Sequence, residues 1–346
     1  MNAGATPVAT MAGEAAQTAD AARDQIARCT RAFAELGEHL RSHPPRFVVT
    51  CARGSSDHAA TYGKYLVETT VGQVVASVGP SVASIYDTPH LQLEDALFIA
   101  VSQSGKSPDL LRLTEAARRA GAFVIGFVND EASPLSALCH RCLPLCAGPE
   151  RSVAATKSHV LAALAFLQLA RHWSGSEPLR DAIGRLPDAL DAAREIDWWP
   201  ALSSLSAATS MLVLGRGIGL GAALEMALKL KETCRLHAEG LSSAEAIHGP
   251  LALVQKGFPI LVLGQDDASA ESTRHAVRRL VDLDAAVHSV LEVTGAQALP
   301  IVAGLPAAIS PLCQMQSFYM AVPRLAAARG LDADAPAHLS KVTETV

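Results

Sequence analysis

The sequence predicts an α/β protein of two tandem modules, each a parallel sheet flanked by helices in the doubly wound, flavodoxin-like arrangement. A chain of 346 residues is long for a single hydrophobic core, which favours two modules. Hydrophobic residues make up 49% of the chain and aromatic residues only 4%. This mixture is typical of helix-rich proteins whose sheets are built from Val, Ile and Leu.

The first half of the chain shows a helix and then alternating strands and helices. Residues 1–10 are small and polar, and we expect them to be disordered. Apolar residues recur every three to four positions from Met11 to about Arg41, which predicts a helix. Near-continuous apolar runs predict strands of a parallel sheet at Arg46–Cys51, Ala96–Val101 and Phe123–Val128.

The second half repeats this plan. Gly215-Arg216-Gly217 follows an apolar run and echoes the Arg53-Gly54 turn at an offset of 163 positions. The run that ends at Gln265 echoes the one that ends at Gln103, at an offset of 162. Two landmarks with nearly the same offset indicate a duplicated module. We expect an N-terminal segment with a helix, a first module, a linker helix, a second module and a C-terminal tail, at residues 1–42, 43–178, 179–200, 201–330 and 331–346.

Composition argues against several classes of partner. The net charge is −5 and no basic stripe is present, so we expect no nucleic-acid partner. No apolar run approaches the roughly 20 residues of a membrane helix, and the first residues lack the features of a signal peptide, so we expect a cytoplasmic protein without a membrane partner. Cys139 and Cys142 have the spacing of zinc ligands, but no second ligand pair lies at a suitable distance, so we predict no metal site.

Hydroxyl-bearing side chains follow two neighbouring strands of the first module. Ligands of open parallel sheets bind beyond the carboxyl ends of the strands, and helix N-termini favour anions. Pro108 is the predicted first residue of a helix, and Ser55 and Ser56 follow the neighbouring strand. The pattern indicates a phosphate site, and a plain capped turn is the alternative. The cluster that follows the strand Ala96–Val101 consists of Ser102, Gln103, Ser104 and Ser107.

Three features of the second half have either a functional or a structural explanation. One predicted helix places Glu225, Lys229 and Glu232 on a single face, a pattern that is most often a solvent-exposed stripe of salt bridges. His248 precedes a Gly-Pro turn, where it is either a polar loop residue or a group that titrates near neutral pH. The tail from Leu339 to Val346 is either frayed or functional. Spacing alone leaves these alternatives open.

Taken together, several segments resemble a known family. They resemble the double-SIS-domain sugar-phosphate enzymes, namely the isomerase half of glucosamine-6-phosphate synthase and, most closely, the SIS-type glucosamine-6-phosphate deaminases. The resemblance runs from about Met11 to the C-terminus. The matching segments are Ser102-Gln103-Ser104-Gly105, Ala147-Gly148-Pro149-Glu150 with Thr156-Lys157, Gly215-Arg216-Gly217, Ala227-Leu228-Lys229-Leu230-Lys231-Glu232, His237-Ala238-Glu239 and His248-Gly249-Pro250-Leu251-Ala252-Leu253.

The resemblance implies a set of substrate contacts and no metal or organic cofactor. Val153 and Ser340 would contact the sugar, whereas Ala155 stands where the synthases have a Ser beside it. The residues that would hold the phosphate are Ser56, Ser102, Gln103, Ser104 and Ser107.

The resemblance also implies catalytic roles. Glu232 would move a proton between C1 and C2 of the sugar, supported by Lys229 from the same helix face. His248 would open the sugar ring, and in the synthases this histidine comes from the neighbouring subunit, so we expect a homodimer. Lys341 would contact the open-chain sugar and could form a Schiff base with its carbonyl.

Departures from the synthases favour the deaminase. No glutaminase segment precedes the first module in this sequence, so we expect no built-in source of ammonia. The loop Gly105-Lys106-Ser107-Pro108-Asp109 also resembles that of the deaminases. The expected reaction therefore converts glucosamine 6-phosphate to fructose 6-phosphate and ammonia. The alternatives are the reverse amination, a deglycase or ketose–aldose isomerase acting on another sugar phosphate, and a non-catalytic sugar-phosphate sensor, which would need an output module.

Overall fold

A computed structural model of the chain describes residues 10–88 and 91–341. The segment predicted to be disordered falls outside this range except for Thr10, and so do the last five residues of the predicted tail. Across the described ranges, no helix is long and apolar enough to cross a bilayer.

The first module is a five-stranded, wholly parallel sheet with the strand order β2-β1-β3-β4-β5. This is the flavodoxin-like order, in which the chain reverses direction across the sheet between β1 and β3 and leaves a crevice beyond their carboxyl ends. In chain order the elements of this half are α1 (Met11–Ala15), α2 (Thr18–Ser42), β1 (Val48–Cys51), α3 (Ser55–Thr70), β2 (Val75–Ser77), α4 (Ser81–Ser84), β3 (Leu97–Ser102), α5 (Pro108–Arg119), β4 (Phe123–Val128), α6 (Pro134–Leu138), β5 (Arg141–Pro144) and α7 (Lys157–Ser174).

The second module repeats the topology, with the strand order β10-β9-β8-β6-β7 and parallel pairing throughout. Its own reversal of direction lies between β6 and β8. Two short 3₁₀ turns cover Ser203–Leu205 and Gly249–Leu253. The remaining elements are α8 (Glu177–Arg194), α9 (Trp199–Leu202), β6 (Ser210–Gly215), α10 (Gly219–Cys234), β7 (His237–Ser242), α11 (Ser243–Ala246), β8 (Pro259–Val262), α12 (Ala270–Val281), β9 (Ala286–Ser289), β10 (Gln297–Ala298) and α13 (Ser310–Ala328).

The central strand β3 shows why the sheet is buried on both faces. Phe98 and Ala100 pack in one apolar cluster with residues of α5, whereas Ile99 and Val101 belong to a larger core on the opposite face. All six residues of β3 are buried. Each large apolar side chain buried in this way contributes about 1.5–3 kcal/mol to folding, which accounts for the continuous apolar run in the sequence.

The two modules share the larger core and meet closely at α3 and α10. Val213 and Leu261 of the second sheet belong to the same apolar cluster as Val101 of the first. At the helix contact, a Cβ on Gly221 would lie 2.5 Å from the backbone oxygen of His58, so only glycine allows the two backbones to approach this closely. This approach places one face of α10 against the carboxyl edge of the first sheet.

The segment predicted as one helix from Met11 to Arg41 consists of two helices, because the chain makes a short turn at Ala16 and Gln17. α1 is capped by Thr10, whose hydroxyl accepts a hydrogen bond from the backbone N–H of Gly13 at 3.0 Å. The periodicity of apolar residues passes through the turn, which explains why the interruption is not visible in the sequence.

Candidate active site

The loop between β3 and α5 is a tight turn braced by its own serine side chains. The hydroxyl of Ser102 accepts a hydrogen bond from Gly105 N at 2.9 Å, and that of Ser104 accepts one from Lys106 N at 3.3 Å. Gly105 has a φ of +63°, a conformation that favours glycine. Ser107 is the N-cap and Pro108 the first residue of α5, which confirms their predicted positions. The Ser107 side chain makes no capping hydrogen bond, so its hydroxyl is not used by the helix.

A cavity of about 320 Å³ lies beyond the carboxyl ends of β1 and β3, within the size range of small-molecule sites. A larger cleft of about 680 Å³ beside α4 and α5 contains none of the residues predicted for the site. Nine of the eleven predicted site residues line the smaller cavity: Ser56, Ser102, Gln103, Ser104, Ser107, Val153, Glu232, Ser340 and Lys341.

Lys229 lies directly behind the cavity and is only 1% exposed. Its Nζ is 2.5 Å from Glu232 Oε2 and 3.4 Å from Glu225 Oε1, and it donates a hydrogen bond to the hydroxyl of Ser55 at 3.2 Å. A solvent-exposed stripe of salt bridges is therefore the wrong explanation for this helix face. The three charges form a buried network, and only Glu232 reaches the cavity, with 21% of its side chain exposed.

Glu225 holds the inner end of this network. The hydroxyl of Tyr319 donates to its Oε1 at 3.2 Å, and Nδ1 of His58 lies 2.8 Å from its Oε2. Burial opposes ionisation of this carboxyl, but the Lys229 ammonium and the nearby histidines outweigh burial and hold the pKa of Glu225 far below its usual value. Burial likewise opposes the charge on Lys229, but the Glu225 and Glu232 carboxylates outweigh it and raise the pKa of Lys229. The lysine is therefore an ammonium at neutral pH.

Two charged residues at the site received no role from the sequence. Arg53 lines the cavity and donates two hydrogen bonds to Asp109 Oδ2, at 3.0 and 2.6 Å, which brings a guanidinium beside the serine loop. Glu150 is buried and pairs with Lys341 at 3.1 Å. The position of Arg53 immediately beyond the carboxyl end of β1 is a usable sequence signal, whereas the contact between residues 150 and 341 is not visible in local sequence.

His248 is the predicted catalytic residue that the chain does not bring to the cavity. It is exposed, at the start of the 3₁₀ turn Gly249–Leu253, and does not line the cavity. A single copy of the chain therefore assembles the serine loop, Glu232 and Lys341, but leaves His248 on the surface.

Comparison with known proteins identifies the family. The family model described as the SIS domain matches residues 44–171 and 204–303, which is more than half of the chain. The chain belongs to the SIS-domain family. Each of the two matched segments contains all five strands of one parallel sheet.

Curated relatives of this SIS-domain chain include glutamine–fructose-6-phosphate aminotransferases (isomerizing). The relative from Thermotoga maritima is 31% identical over 332 residues, which cover 89% of this chain and 53% of the relative. The one from Aeropyrum pernix is 34% identical over 307 residues, covering 83% of this chain and 49% of the relative. The chain thus spans about half the length of the curated relatives it matches.

Solved structures show the same fold. A protein assigned as a phosphosugar isomerase from Silicibacter pomeroyi superposes with a TM-score of 0.89 at 42% identity, covering 94% of this chain and 99% of that one. The C-terminal domain of the glucosamine-fructose-6-phosphate aminotransferase from Francisella tularensis has a TM-score of 0.80 at 23% identity, covering 96% of this chain and 100% of that one. At this lower identity the second likeness concerns the fold alone.

Proposed function

We propose that the chain is a cytoplasmic enzyme of the sugar-phosphate isomerase type that converts glucosamine 6-phosphate to fructose 6-phosphate and ammonia. One observation carries the proposal: the carboxylate of Glu232, fixed from behind by buried Lys229, reaches the same cavity as the serine loop at the end of β3. A phosphate held at the loop would fix one end of a hexose, and a fixed carboxylate can then act repeatedly on the same carbons.

The proposed phosphate site combines three kinds of donor. Hydroxyls come from Ser102, Ser104, Ser107 and the neighbouring Ser56, an amide comes from Gln103, and the N-terminus of α5 adds backbone N–H groups and the positive end of its dipole. Arg53 adds a guanidinium at the cavity wall, about half exposed. The Arg53 charge is shared with Asp109, so the proposed site attracts an anion chiefly through its hydrogen-bond donors and the helix N-terminus, in a chain whose net charge is −5.

Glu232 is the proposed acid–base group. Once the sugar ring is open, its carboxylate takes the proton from C2 and returns it at C1, which converts the 2-amino aldehyde to a 2-imino sugar. Water then adds to the imine at C2, and ammonia leaves with the C2 nitrogen to give fructose 6-phosphate. Lys229 keeps the carboxylate oriented from the side opposite the cavity.

The remaining roles concern ring opening and the sugar chain. We assign ring opening to the partner subunit's His248 in a homodimer, because His248 of the same chain is exposed and does not line the cavity. Val153 and Ser340 line the cavity and are the proposed contacts of the sugar, and Lys341 is the proposed contact of its open-chain carbonyl.

Ammonia release from purified protein tests this function. Glucosamine 6-phosphate and galactosamine 6-phosphate are supplied in parallel, with Glu232→Gln as the inactive variant. We expect release from the gluco substrate and its loss in the variant. Absence of release from both sugars would reject the deaminase.

Two other reactions use the same proton transfer. Amination of fructose 6-phosphate is supported by the relatives of 31% and 34% identity, which are isomerizing aminotransferases. Isomerisation of another phosphosugar is supported by the Silicibacter pomeroyi likeness at 42% identity. Formation of glucosamine 6-phosphate from fructose 6-phosphate and ammonium, without net deamination, would favour the amination. Turnover of a different ketose or aldose phosphate alone would favour the isomerisation.

A further inference from the structure

Glu150 is a buried carboxylate at the edge of the site. It follows β5 in the chain, and its side chain is fully inaccessible to solvent. A charge removed from water in this way is unfavourable unless partners compensate it. The partners of this carboxylate therefore indicate which parts of the chain it stabilises.

The first set of contacts lies at the start of α7. Glu150 Oε1 accepts hydrogen bonds from the backbone N–H groups of Thr156 at 3.0 Å and Ser158 at 3.1 Å, and Oε2 accepts one from the Ser158 hydroxyl at 2.6 Å. Thr156 is the N-cap residue of α7, so the carboxylate also lies at the positive end of a helix. These bonds fix both carboxylate oxygens on a rigid element.

A second kind of contact is the ion pair with the ammonium of Lys341, which lies 3.1 Å from Oε2. The nearer lysine in sequence, Lys157, donates instead to Gln17 Oε1 at 2.8 Å. Within the described ranges, Lys341 is the cation that forms an ion pair with Glu150. Burial opposes ionisation of the carboxyl, but the charge of Lys341 and the Ser158 hydroxyl bond outweigh it and hold the pKa of Glu150 below its usual value.

Lys341 is the last residue of the C-terminal tail that the structure describes. Leu339 and Ser340 line the cavity with it, and 22% of the Lys341 side chain is exposed. We propose that Glu150 is a positioning residue that fastens residues 339–341, the last described part of the C-terminal tail, at the cavity by holding the ammonium of Lys341. The position of the tail is then set by the protein's own charge pair before a sugar binds. The proposal rests on the proposed function only in taking Lys341 to act on the sugar.

Tryptic cleavage after Lys341 tests the contact without any sugar chemistry. Glu150→Gln keeps the size of the side chain and one of its two acceptor oxygens but removes its charge. We expect cleavage after Lys341, followed by intact mass, to become about 10-fold faster in this variant. The matched control is Asp130→Asn, which removes the charge from the exposed Lys106–Asp130 pair, 3.2 Å apart, and should leave that cleavage rate unchanged. Equal cleavage of the wild type and Glu150→Gln would overturn the proposal.

A second variant decides the matter if Glu150→Gln does not fold. Lys341→Met leaves the buried Glu150 carboxylate without its cation, so we expect the melting temperature to fall by about 5 °C. An unchanged melting temperature would overturn the proposal, because a tail that is not fastened contributes nothing to stability. Neither this measurement nor the proteolysis depends on turnover, so both remain decisive if the proposed reaction is wrong.

A double-mutant cycle separates positioning from helix capping. We expect Glu150→Gln to lower kcat by about 100-fold, the effect of misplacing a reacting group by about 1 Å, with KM changed much less. In a Lys341→Met background the same substitution should cause no further loss, because its effect passes through the lysine. An equal loss in both backgrounds would assign Glu150 to the capping of α7 and overturn the proposal.

Discussion

The two modules share a strand order but differ in the loop that follows the third strand of each sheet. In the first module this loop presents hydroxyls to a cavity, and the N-cap residue of the following helix is Ser107, whose side chain makes no capping bond. In the second module the equivalent loop carries Asp266 and Asp267 and has no serine at the equivalent of Ser102. The comparison supports the proposal that the first module holds the phosphate.

Internal contacts already occupy the loop of the second module. Gln265 Nε2 lies within hydrogen-bond distance of Arg216 O, Asp267 Oδ2 and Ser269 Oγ, at 3.0, 2.9 and 2.8 Å. Asp267 Oδ1 accepts from Ser269 N at 2.8 Å, just before α12 begins. The Asp267 carboxylate therefore lies at the N-terminal side of α12, where it repels an approaching anion.

The second module contributes a helix face instead of a loop. The helix after its first strand, α10, delivers Glu232 to the cavity of the first module and buries Lys229 and Glu225 behind it. The two modules thus share a topology but place different side chains at the cavity, which is consistent with function depending on the site rather than on the fold.

The largest expected effect comes from removing the proposed acid–base group, Glu232 of the second module. Glu232→Gln should lower kcat by about 10²–10⁴-fold, the usual range for a general acid–base group, while a hexose 6-phosphate still binds. Steady-state kinetics and calorimetric titration measure the two quantities. Glu115→Gln, on the exposed face of α5, is the control and should behave as wild type. Equal loss of binding and turnover would contradict the assignment.

Next in size is the loss of the buried cation. Lys229→Met leaves the buried carboxylate of Glu225 and that of Glu232 without the ammonium between them, so unfolding should require about 3–5 kcal/mol less free energy. Urea denaturation measures this change. Lys231→Met alters an exposed lysine of the same helix and should change stability by less than about 0.5 kcal/mol. Similar effects of both substitutions would mean that the network does not stabilise the fold.

A substitution that makes the first loop resemble the second sharpens the comparison directly. Ser104→Asp places a carboxylate among the serine hydroxyls, and like-charge repulsion should weaken binding of fructose 6-phosphate by about 100-fold. Titration calorimetry measures the dissociation constant. Ser272→Asp makes the same change on exposed α12 and should leave affinity unchanged. Unaltered affinity in Ser104→Asp would place the phosphate elsewhere.

The smallest effect concerns pH. Burial lowers the pKa of His159 from its ordinary 6.5, so below that pH the unfolded chain binds a proton that the folded chain does not, and stability falls as pH falls. Because the pKa of Glu225 is also lowered, the free energy of unfolding continues to fall as the pH drops below 4.5. In His159→Gln the slope of the unfolding free energy against pH should decrease by up to about 1.4 kcal/mol per pH unit between pH 6.5 and 5. The decrease in stability below pH 4.5 should remain. An unchanged slope would contradict this.

Elements with a strong apolar pattern could be predicted from the sequence. The strand β4 has the predicted bounds, Phe123–Val128, because its residues face helices on both sides. The short edge strands Val75–Ser77 and Gln297–Ala298 were not predicted, since they are largely exposed and lack a continuous apolar run. Edge strands form because a neighbour offers hydrogen bonds, which local sequence does not record.

The candidate site likewise has parts that the sequence predicts and parts that depend on the tertiary fold. The serine loop could be predicted because capping and strand ends are local features, as Ser107 and Pro108 show. The periodicity of α10 placed Lys229 and Glu232 on one face but could not tell whether that face is buried. The pairing of Glu150 with Lys341 joins positions 191 residues apart, so it depends on the tertiary fold.

Hydrogen exchange at the sugar carbons tests the central claim most directly, because the deaminase, the reverse amination and isomerisation all require proton transfer between C1 and C2. The protein is incubated in D₂O with glucosamine 6-phosphate and, separately, with fructose 6-phosphate, and deuterium at C1 and C2 is followed by NMR. We predict incorporation with wild-type protein and none with Glu232→Gln. No exchange with either sugar, or exchange that persists in the variant, would contradict the account.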